Sequence, residues 1–250
     1  ELEITQHRAR QVYFEIIQPG GVSADAPLIM YLHGGGYCIG SAHAYRQVVT
    51  GFARKFGTRI ALVDYRLAPE NPFPAALDDA HSVYLWLCDK MGVAPMLMGD
   101  SAGGGLVLAL MMRLRDQGKP LPDKAVCLSP WTDLTCSGDS LEINDPYDYL
   151  LTAADTREKA HHYVGDNDPR NPLISPVFGD FKGLPETFLF ASDKEILLDD
   201  STRVFQKASA DGMPIKMHIY QNMQHVWPLP FPHLAESKRV LKEIRDFFQG

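Results

Sequence analysis

The sequence predicts an α/β fold with a mostly parallel central sheet flanked by helices. Three observations carry the prediction. The chain has 250 residues, the size of one large α/β domain able to bury a sizeable core. Short apolar, β-rich runs alternate along it with amphipathic stretches of ten or more residues, the signature of successive βαβ units. Its composition, 45% hydrophobic and 22% charged, is that of an ordinary globular protein.

Each element has a local reason. "ARQVYFEII" (9–17) is strand-like and comes almost at once. "PLIMYL" (27–32) is a short apolar run that ends at a glycine cluster. In "AYRQVVTGFARKFG" (44–57), Val48, Val49, Phe52 and Phe56 fall at helical spacing and Gly57 supplies a stop. "RIALVDY" (59–65) is a strand bounded by Pro69. "AALDDAHSVYLWLCDKMG" (75–92) repeats the helix pattern through Leu77, Ala80, Tyr84, Leu87 and Met91. "APMLM" (94–98) and "KAVCLS" (124–129) read as strands on either side of the helix "GLVLALMMRLRDQG" (105–118).

Further on, "ETFLFAS" (186–192) and the alternating "IKMHIY" (215–220) are strands. Between them "DDSTRVFQKASADG" (199–212) is a helix with acids in its first turn, where the dipole favours them. A last helix, 234–250, carries Val240, Leu241, Ile244, Phe247 and Phe248 on one face. Residues 130–185 break this rhythm, with many Asp, Asn and Pro and one helix-like piece, "TAADTREKAHHYVG". Ligands bind outside the carboxyl ends of strands in open α/β sheets. An insertion leaving that edge is expected to form a cap within the single domain spanning 1–250.

Composition excludes several classes. The net charge of −7, without a Lys/Arg cluster, argues against nucleic acid as a partner. No apolar run reaches the roughly 18 residues of a membrane span, and no signal-peptide pattern opens the chain. Cys38, Cys88, Cys127 and Cys136 form no C-x-x-C pair and read as reduced thiols, with a cytoplasmic setting as the default. No metal site is expected: His161 and His162 are adjacent and point in different directions.

"GDSAGGG" (99–105) lies between a strand-like and a helix-like run. "G-D-S-A-G" fits G-x-S-x-G, the turn that displays a nucleophilic serine. The demand is steric: the turn presses neighbouring backbone together, and Gly99 and Gly103 remove side chains that would clash. Ser101 is then lifted clear of the sheet, with the positive end of a helix behind it. The bland reading is a tight turn with an incidental hydroxyl.

A serine hydroxyl is a poor nucleophile without a base, and the base needs an orienting acid. In this arrangement the acid and then the histidine follow the serine along the chain. His225, in "QNMQHVWP" just after the strand 215–220, meets that demand among nine histidines. The acid belongs after the strand 186–192, where "DKEILLDD" offers Asp193, Glu195, Asp199 and Asp200. Asp199 and Asp200 open a helix and need no catalytic explanation; local reasoning does not separate Asp193 from Glu195.

"HGGGYCIGS" (33–41) is neither G-x-G-x-x-G nor a phosphate loop ending in G-K-[ST]. Its glycines suit an oxyanion hole, which needs two or three backbone N–H donors about 3 Å from a developing charge. Gly34, Gly35 and Gly36 are the candidates, with Ala102, the residue after the nucleophile, as a further donor.

Taken together, "HGGGY", "DYRLAPENPFPAALDD", "GDSAGGG", "SPWTDLT", "DKEILLDDS" and "MQHVW" resemble the bacterial hormone-sensitive-lipase-like carboxylesterases, from about residue 28 to the C-terminus. The resemblance implies the α/β-hydrolase fold and cleavage of carboxylic esters with no cofactor. It implies Ser101 as nucleophile, His225 as base and an oxyanion hole from the glycine run, Gly35 and Gly36 favoured, with Ala102. The family's usual D-P-L-R-D, laid without gaps on "EILLD", puts the acid at Glu195, so the chain departs from the usual aspartate; Asp193 and then Asp199 are the alternatives. The family's leading cap segment has no counterpart ahead of "ARQVYFEII". Either it was trimmed or the cap rests on 130–185 alone.

The expected partner is therefore a small-molecule ester with a short or medium acyl chain, and a homodimer is compatible with the sequence. A lactonase, arylformamidase or amidase would use the same machinery. A non-catalytic receptor on this fold would be expected to lack a triad residue.

Overall fold

The computed structural model describes residues 2–23, 25–92 and 94–250. Its strands are β1 (Leu2–Ala9), β2 (Val12–Pro19), β3 (Leu28–Leu32), β4 (Arg59–Asp64), β5 (Met96–Asp100), β6 (Lys124–Leu128), β7 (Glu186–Ser192) and β8 (Ile215–Tyr220). They form one sheet in the order β1-β2-β4-β3-β5-β6-β7-β8. Only β2 runs against its neighbours; every pairing from β4 to β8 is parallel. The helices are α1 (Ala42–Phe56), α2 (Ala75–Met91), α3 (Ala102–Asp116), the one-turn α4 (Ser140–Ile143), α5 (Ala153–Val164), α6 (Leu198–Ala210) and α7 (Ala235–Gln249).

The strand-like start at 9–17 is really the second arm of a hairpin. β1 pairs with β2 along its whole length, through a two-residue turn at Arg10 and Gln11. Arg10 holds φ 55° there, a positive value at the first turn position that suits the right-handed twist of the two strands.

Burial follows the period of each element. The central strands are buried on both faces, as a covered parallel sheet requires. On one face, Ile29, Tyr31, Ile60 and Leu62 meet Val49, Phe52 and Phe56 of α1 and Val240, Leu241 and Ile244 of α7. On the other, Met30, Leu32, Ala61 and Val63 pack with α2, α3 and α6. Helix α3 is buried almost all round, from Ala102 through Met112, so it is the axis of that larger core.

The strand order positions the site. From β3 the chain crosses by α1 to β4 on one side; from β5 it crosses by α3 to β6 on the other. Helices α1 and α3 lie on opposite faces. The loops leaving the adjacent carboxyl ends of β3 and β5 therefore diverge, and a crevice opens between them, as at any point where strand order reverses. The glycine run 34–36 leaves β3, and Ser101 leaves β5. All four cysteines are free, Cys127 buried and the others half-buried.

Leu110 sits mid-helix in α3 and is fully buried. Leu110→Ala is expected to lower the unfolding free energy by about 2–5 kcal/mol through lost transfer energy plus a residual cavity, read as a shift in the urea midpoint at unchanged slope.

Candidate active site

Ser101 stands at the joint of β5 and α3 with φ 53° and ψ −123°. A non-glycine residue there is strained and stays only if its surroundings hold it. They do: its N–H donates to Leu128 O at 2.8 Å, and its carbonyl accepts from Trp131 N–H at 2.9 Å and Gly105 N–H at 3.1 Å. The hydroxyl makes no capping bond to α3, so it is free for the crevice. A Cβ at Gly99 would lie 2.4 Å from Gly103 O, and one at Gly103 would lie 2.0 Å from Leu32 O. The close backbone approach that the pentapeptide implies is thus real on both sides of the serine.

His225 follows β8 and is buried. Its Nδ1–H donates to Glu195 Oε2 at 2.7 Å, and Glu195 Oε1 accepts from Ser192 N–H at 2.8 Å. Glu195 is fully buried. Its two oxygens are thereby fixed, one on the imidazole and one on the strand end. The alternatives are engaged elsewhere: Asp193 Oδ1 accepts from Asn222 N–H at 2.6 Å, and Asp199 Oδ2 from Ser140 N–H at 2.9 Å. Burial works to lower the His225 pKa, but the hydrogen bond and charge of Glu195, helped by Asp148 and Asp100, raise it above 6.5.

Ser101 and His225 line one cavity of about 170 Å³ with Gly35, Gly36, Trp131 and Leu151. His225 Nε2 is buried there without a hydrogen-bond partner. No hydrogen bond joins Ser101 to His225 Nε2.

The glycine loop divides its labour. Gly35 and Gly36 have φ of 115° and 63° and border the cavity. Among the described residues their N–H groups and that of Ala102, at the first position of α3, meet no protein acceptor. Gly34 departs from expectation. Its N–H donates to Asp100 Oδ1 at 3.0 Å, so it is spent inside the protein and does not join the donor set. A Cβ at Gly34 would fall 2.3 Å from the same carboxylate. Gly34 is an anchor for the loop, whereas the N–H groups of Gly35, Gly36 and Ala102 are left without a protein acceptor among the described residues.

Asp100 is the residue that sequence reasoning missed. It is the x of G-x-S-x-G, and it is 1% exposed. Besides Gly34 it accepts from Tyr31 Oη at 2.8 Å and Tyr45 Oη at 3.0 Å. Burial pushes its carboxyl up to about 6, and these three donors hold it from rising further. A charged residue closing an apolar strand was the available signal. His33, next to the loop, is buried with its ring stacked 4.2 Å from Tyr65 and does not border the cavity. Among the described residues no three His, Cys, Asp or Glu side chains gather as metal ligands.

Residues 29–229 match a family model described as alpha/beta hydrolase fold. The chain is 40% identical over 228 residues to an acetyl-hydrolase of Streptomyces hygroscopicus, covering 90% of this chain and 76% of that one. It is 36% identical over 224 residues to an esterase of Acinetobacter venetianus, covering 88% and 74%. A crystal structure of an esterase from the bacterial hormone-sensitive lipase family superposes with a TM-score of 0.94 at 38% identity, covering 98% of this chain and 83% of that one.

Tyr31→Phe removes a fully buried donor from Asp100. A hydrogen bond to a charged group contributes about 1.5–3 kcal/mol, and losing it drives the carboxyl above about 6. The sign follows from proton uptake: a carboxyl raised in the folded state costs stability as pH rises from its unfolded value through its folded one. The loss in Tyr31→Phe is therefore expected to be larger at about pH 8, where Asp100 is charged, than at about pH 5, where it is largely protonated. Urea unfolding at the two pH values checks this.

Proposed function

The chain belongs to the hormone-sensitive-lipase-like carboxylesterases of the α/β-hydrolase fold, and from that membership we propose that it hydrolyses short- to medium-chain carboxylic esters through Ser101, His225 and Glu195. One observation carries the assignment: a buried Glu195–His225 pair at 2.7 Å whose unpartnered Nε2 opens on the cavity that holds Ser101.

The reaction takes two steps. His225 Nε2 accepts the Ser101 proton as Oγ attacks the ester carbonyl carbon. The carbonyl π electrons move to oxygen, and that charge is met by the N–H groups of Gly35, Gly36 and Ala102, aided by the positive end of α3. Glu195 holds Nδ1–H, keeps the tautomer with Nε2 free and stabilises the imidazolium. The tetrahedral intermediate then expels the alcohol oxygen, which takes the proton from Nε2, and an acyl-serine remains. Water gives its proton to the same nitrogen, attacks the acyl carbon, and the carboxylic acid leaves as Ser101 recovers its proton.

The small cavity supports acyl chains of modest length. Its lining includes Leu150, Leu151, Asp155, Thr156 and Lys159, which supports reading 130–185 as a cap on the catalytic domain. The Lys159 stem lies over Gly36, where a Cβ would press within 2.4 Å of Cδ. The cap thus bears on the donor loop itself.

Three outcomes are expected. Ser101→Ala abolishes turnover of p-nitrophenyl acetate and butyrate while its circular dichroism and melting temperature stay those of the parent; retained turnover would refute the assignment. The base must be neutral to accept a proton, so kcat/KM climbs as pH rises through the His225 pKa, placing the acid limb above 6.5. Glu195→Gln removes the largest influence raising that pKa, so its limb moves to lower pH and kcat falls by about 10⁴-fold, as when a triad acid becomes an amide. A pH–rate series on both proteins reads both effects.

A further inference from the structure

The segment 144–151 carries none of the reacting groups, yet it grips both loops that do. Asn144 Nδ2 donates to the carbonyls of Asp193 at 3.2 Å and Glu195 at 2.9 Å. Gln224, next to His225, accepts from Tyr149 N–H at 2.7 Å and donates from Nε2 to Tyr147 O at 3.2 Å. Between these two grips lies Asp148, 5% exposed.

Asp148 spends its two oxygens on different parts of the site. Oδ1 accepts from the N–H groups of Leu150 at 3.0 Å and Leu151 at 3.1 Å. Oδ2 accepts from Ile196 N–H at 3.1 Å. Leu150 and Leu151 wall the cavity that contains Ser101; Ile196 is the residue after Glu195. An aspartate bonding the N–H groups two and three residues ahead is an ordinary local turn. That local role uses Oδ1 alone and leaves unexplained a second oxygen buried on a loop 48 residues away.

We propose that Asp148 is a positioning residue for the triad, fixing the Glu195 carboxylate on His225 and the Leu150–Leu151 wall beside Ser101 through one buried side chain. The inference rests on reading Glu195 and His225 as the acid–base pair. Glu195 is held from both sides along the chain: Ser192 N–H takes its free oxygen, and Asp148 takes the peptide that follows it. Release of Ile196 lets the loop turn and swings the carboxylate off Nδ1. Asp148 also acts by charge. The groups that bear on the imidazole are Glu195, Asp148 and Asp100; all three favour the imidazolium, against burial. That is the form His225 takes when Ser101 attacks, so Asp148 lowers the cost of the charge-separated state.

Asp148→Asn keeps the shape, removes the charge and turns an NH₂ group toward one set of N–H donors. Its kcat for p-nitrophenyl acetate is expected to fall about tenfold, since misplacing a catalytic group by a fraction of an ångström has effects of that order, while KM for this smallest ester changes far less. The acid limb of kcat/KM moves to lower pH. Asp148→Glu keeps the charge but displaces the N–H groups, so its limb stays in place while kcat falls. Purely structural bracing predicts otherwise: both variants would melt earlier yet keep the parent's kcat and pH limb, and that result overturns the proposal. If Asp148→Asn does not fold, Asp148→Glu decides alone, and parental kcat in it is again fatal. Glu195→Gln in the same series separates the two layers. If it is inactive while the Asp148 variants are normal, only the present inference fails; if it is fully active, the triad assignment fails and this inference with it.

Discussion

A serine backbone at φ 53° and ψ −123° sits outside the regions open to ordinary residues, and such strain survives only where neighbouring bonds outweigh it. Here the bonds come from Leu128 at the end of β6, Trp131 beyond it and Gly105 in α3. The rest of the site depends on that joint. It sets the Ser101 hydroxyl above the sheet, starts α3 with an unbonded Ala102 N–H, and brings Asp100 under the glycine loop. Gly103 can have no side chain because the carbonyl of Leu32, at the end of β3, occupies the space. The turn at Ser101 and the strand that launches the glycine loop are therefore packed backbone to backbone, and neither can shift without the other.

Around this joint the loops are tied by buried carboxylates that accept backbone N–H groups. Asp100 holds Gly34, Glu195 holds Ser192, Asp148 holds Leu150, Leu151 and Ile196, and Asp200 holds Thr132 and Asp133. A loop has no ladder to satisfy its N–H groups, and a buried one left bare costs as much as a lost hydrogen bond. A carboxylate can satisfy two or three such groups with rigid geometry. The arrangement carries a cost, because burial raises Asp100 to about 6 and Asp200 to about 7. Both groups give up stability as pH rises through those values. The top of the sheet is thus less stable at neutral pH than an apolar one, in return for loops that do not wander.

What the sequence made legible follows from the range of each interaction. The stripes of α1, α2 and α7 and the apolar strands are short-range patterns, and their bounds agree with the structure to within a few residues. Helix α3 begins at Ala102, earlier than the apolar pattern from Gly105 suggested, because the first turn is glycine and carries no stripe. The β1 arm escaped notice because "LEITQHRA" is half-exposed and its turn, Arg10–Gln11, lacks the glycine or asparagine that usually marks a two-residue hairpin. Asp193 and Glu195 could not be told apart locally. They are two residues apart on one loop, and the difference lies in a histidine 30 residues on. Gly34 looked equivalent to Gly35 and Gly36 for the same reason. Its N–H is claimed by a carboxylate 66 residues away, and nothing in "HGGG" announces it.

The 130–185 stretch was the least legible, with no period, many turn formers and few stripes, yet its contacts explain why it is there. Through Leu150, Leu151 and Lys159 it forms the wall of the cavity and covers Gly36. Through Asn144, Asp148 and the Gln224 contacts it reaches the loops of Glu195 and His225. The cavity wall and the loops of Glu195 and His225 therefore share a frame. Asp148 bonds both the wall, at Leu150 and Leu151, and the Glu195 loop, at Ile196. In such an arrangement the pocket cannot be widened independently of the alignment of Glu195 and His225, because the same side chain fixes both. Substitutions that keep the Asp148 bonds, at the exposed Leu150 side chain rather than at its backbone, are the ones that alter the pocket while leaving the acid–base pair in register.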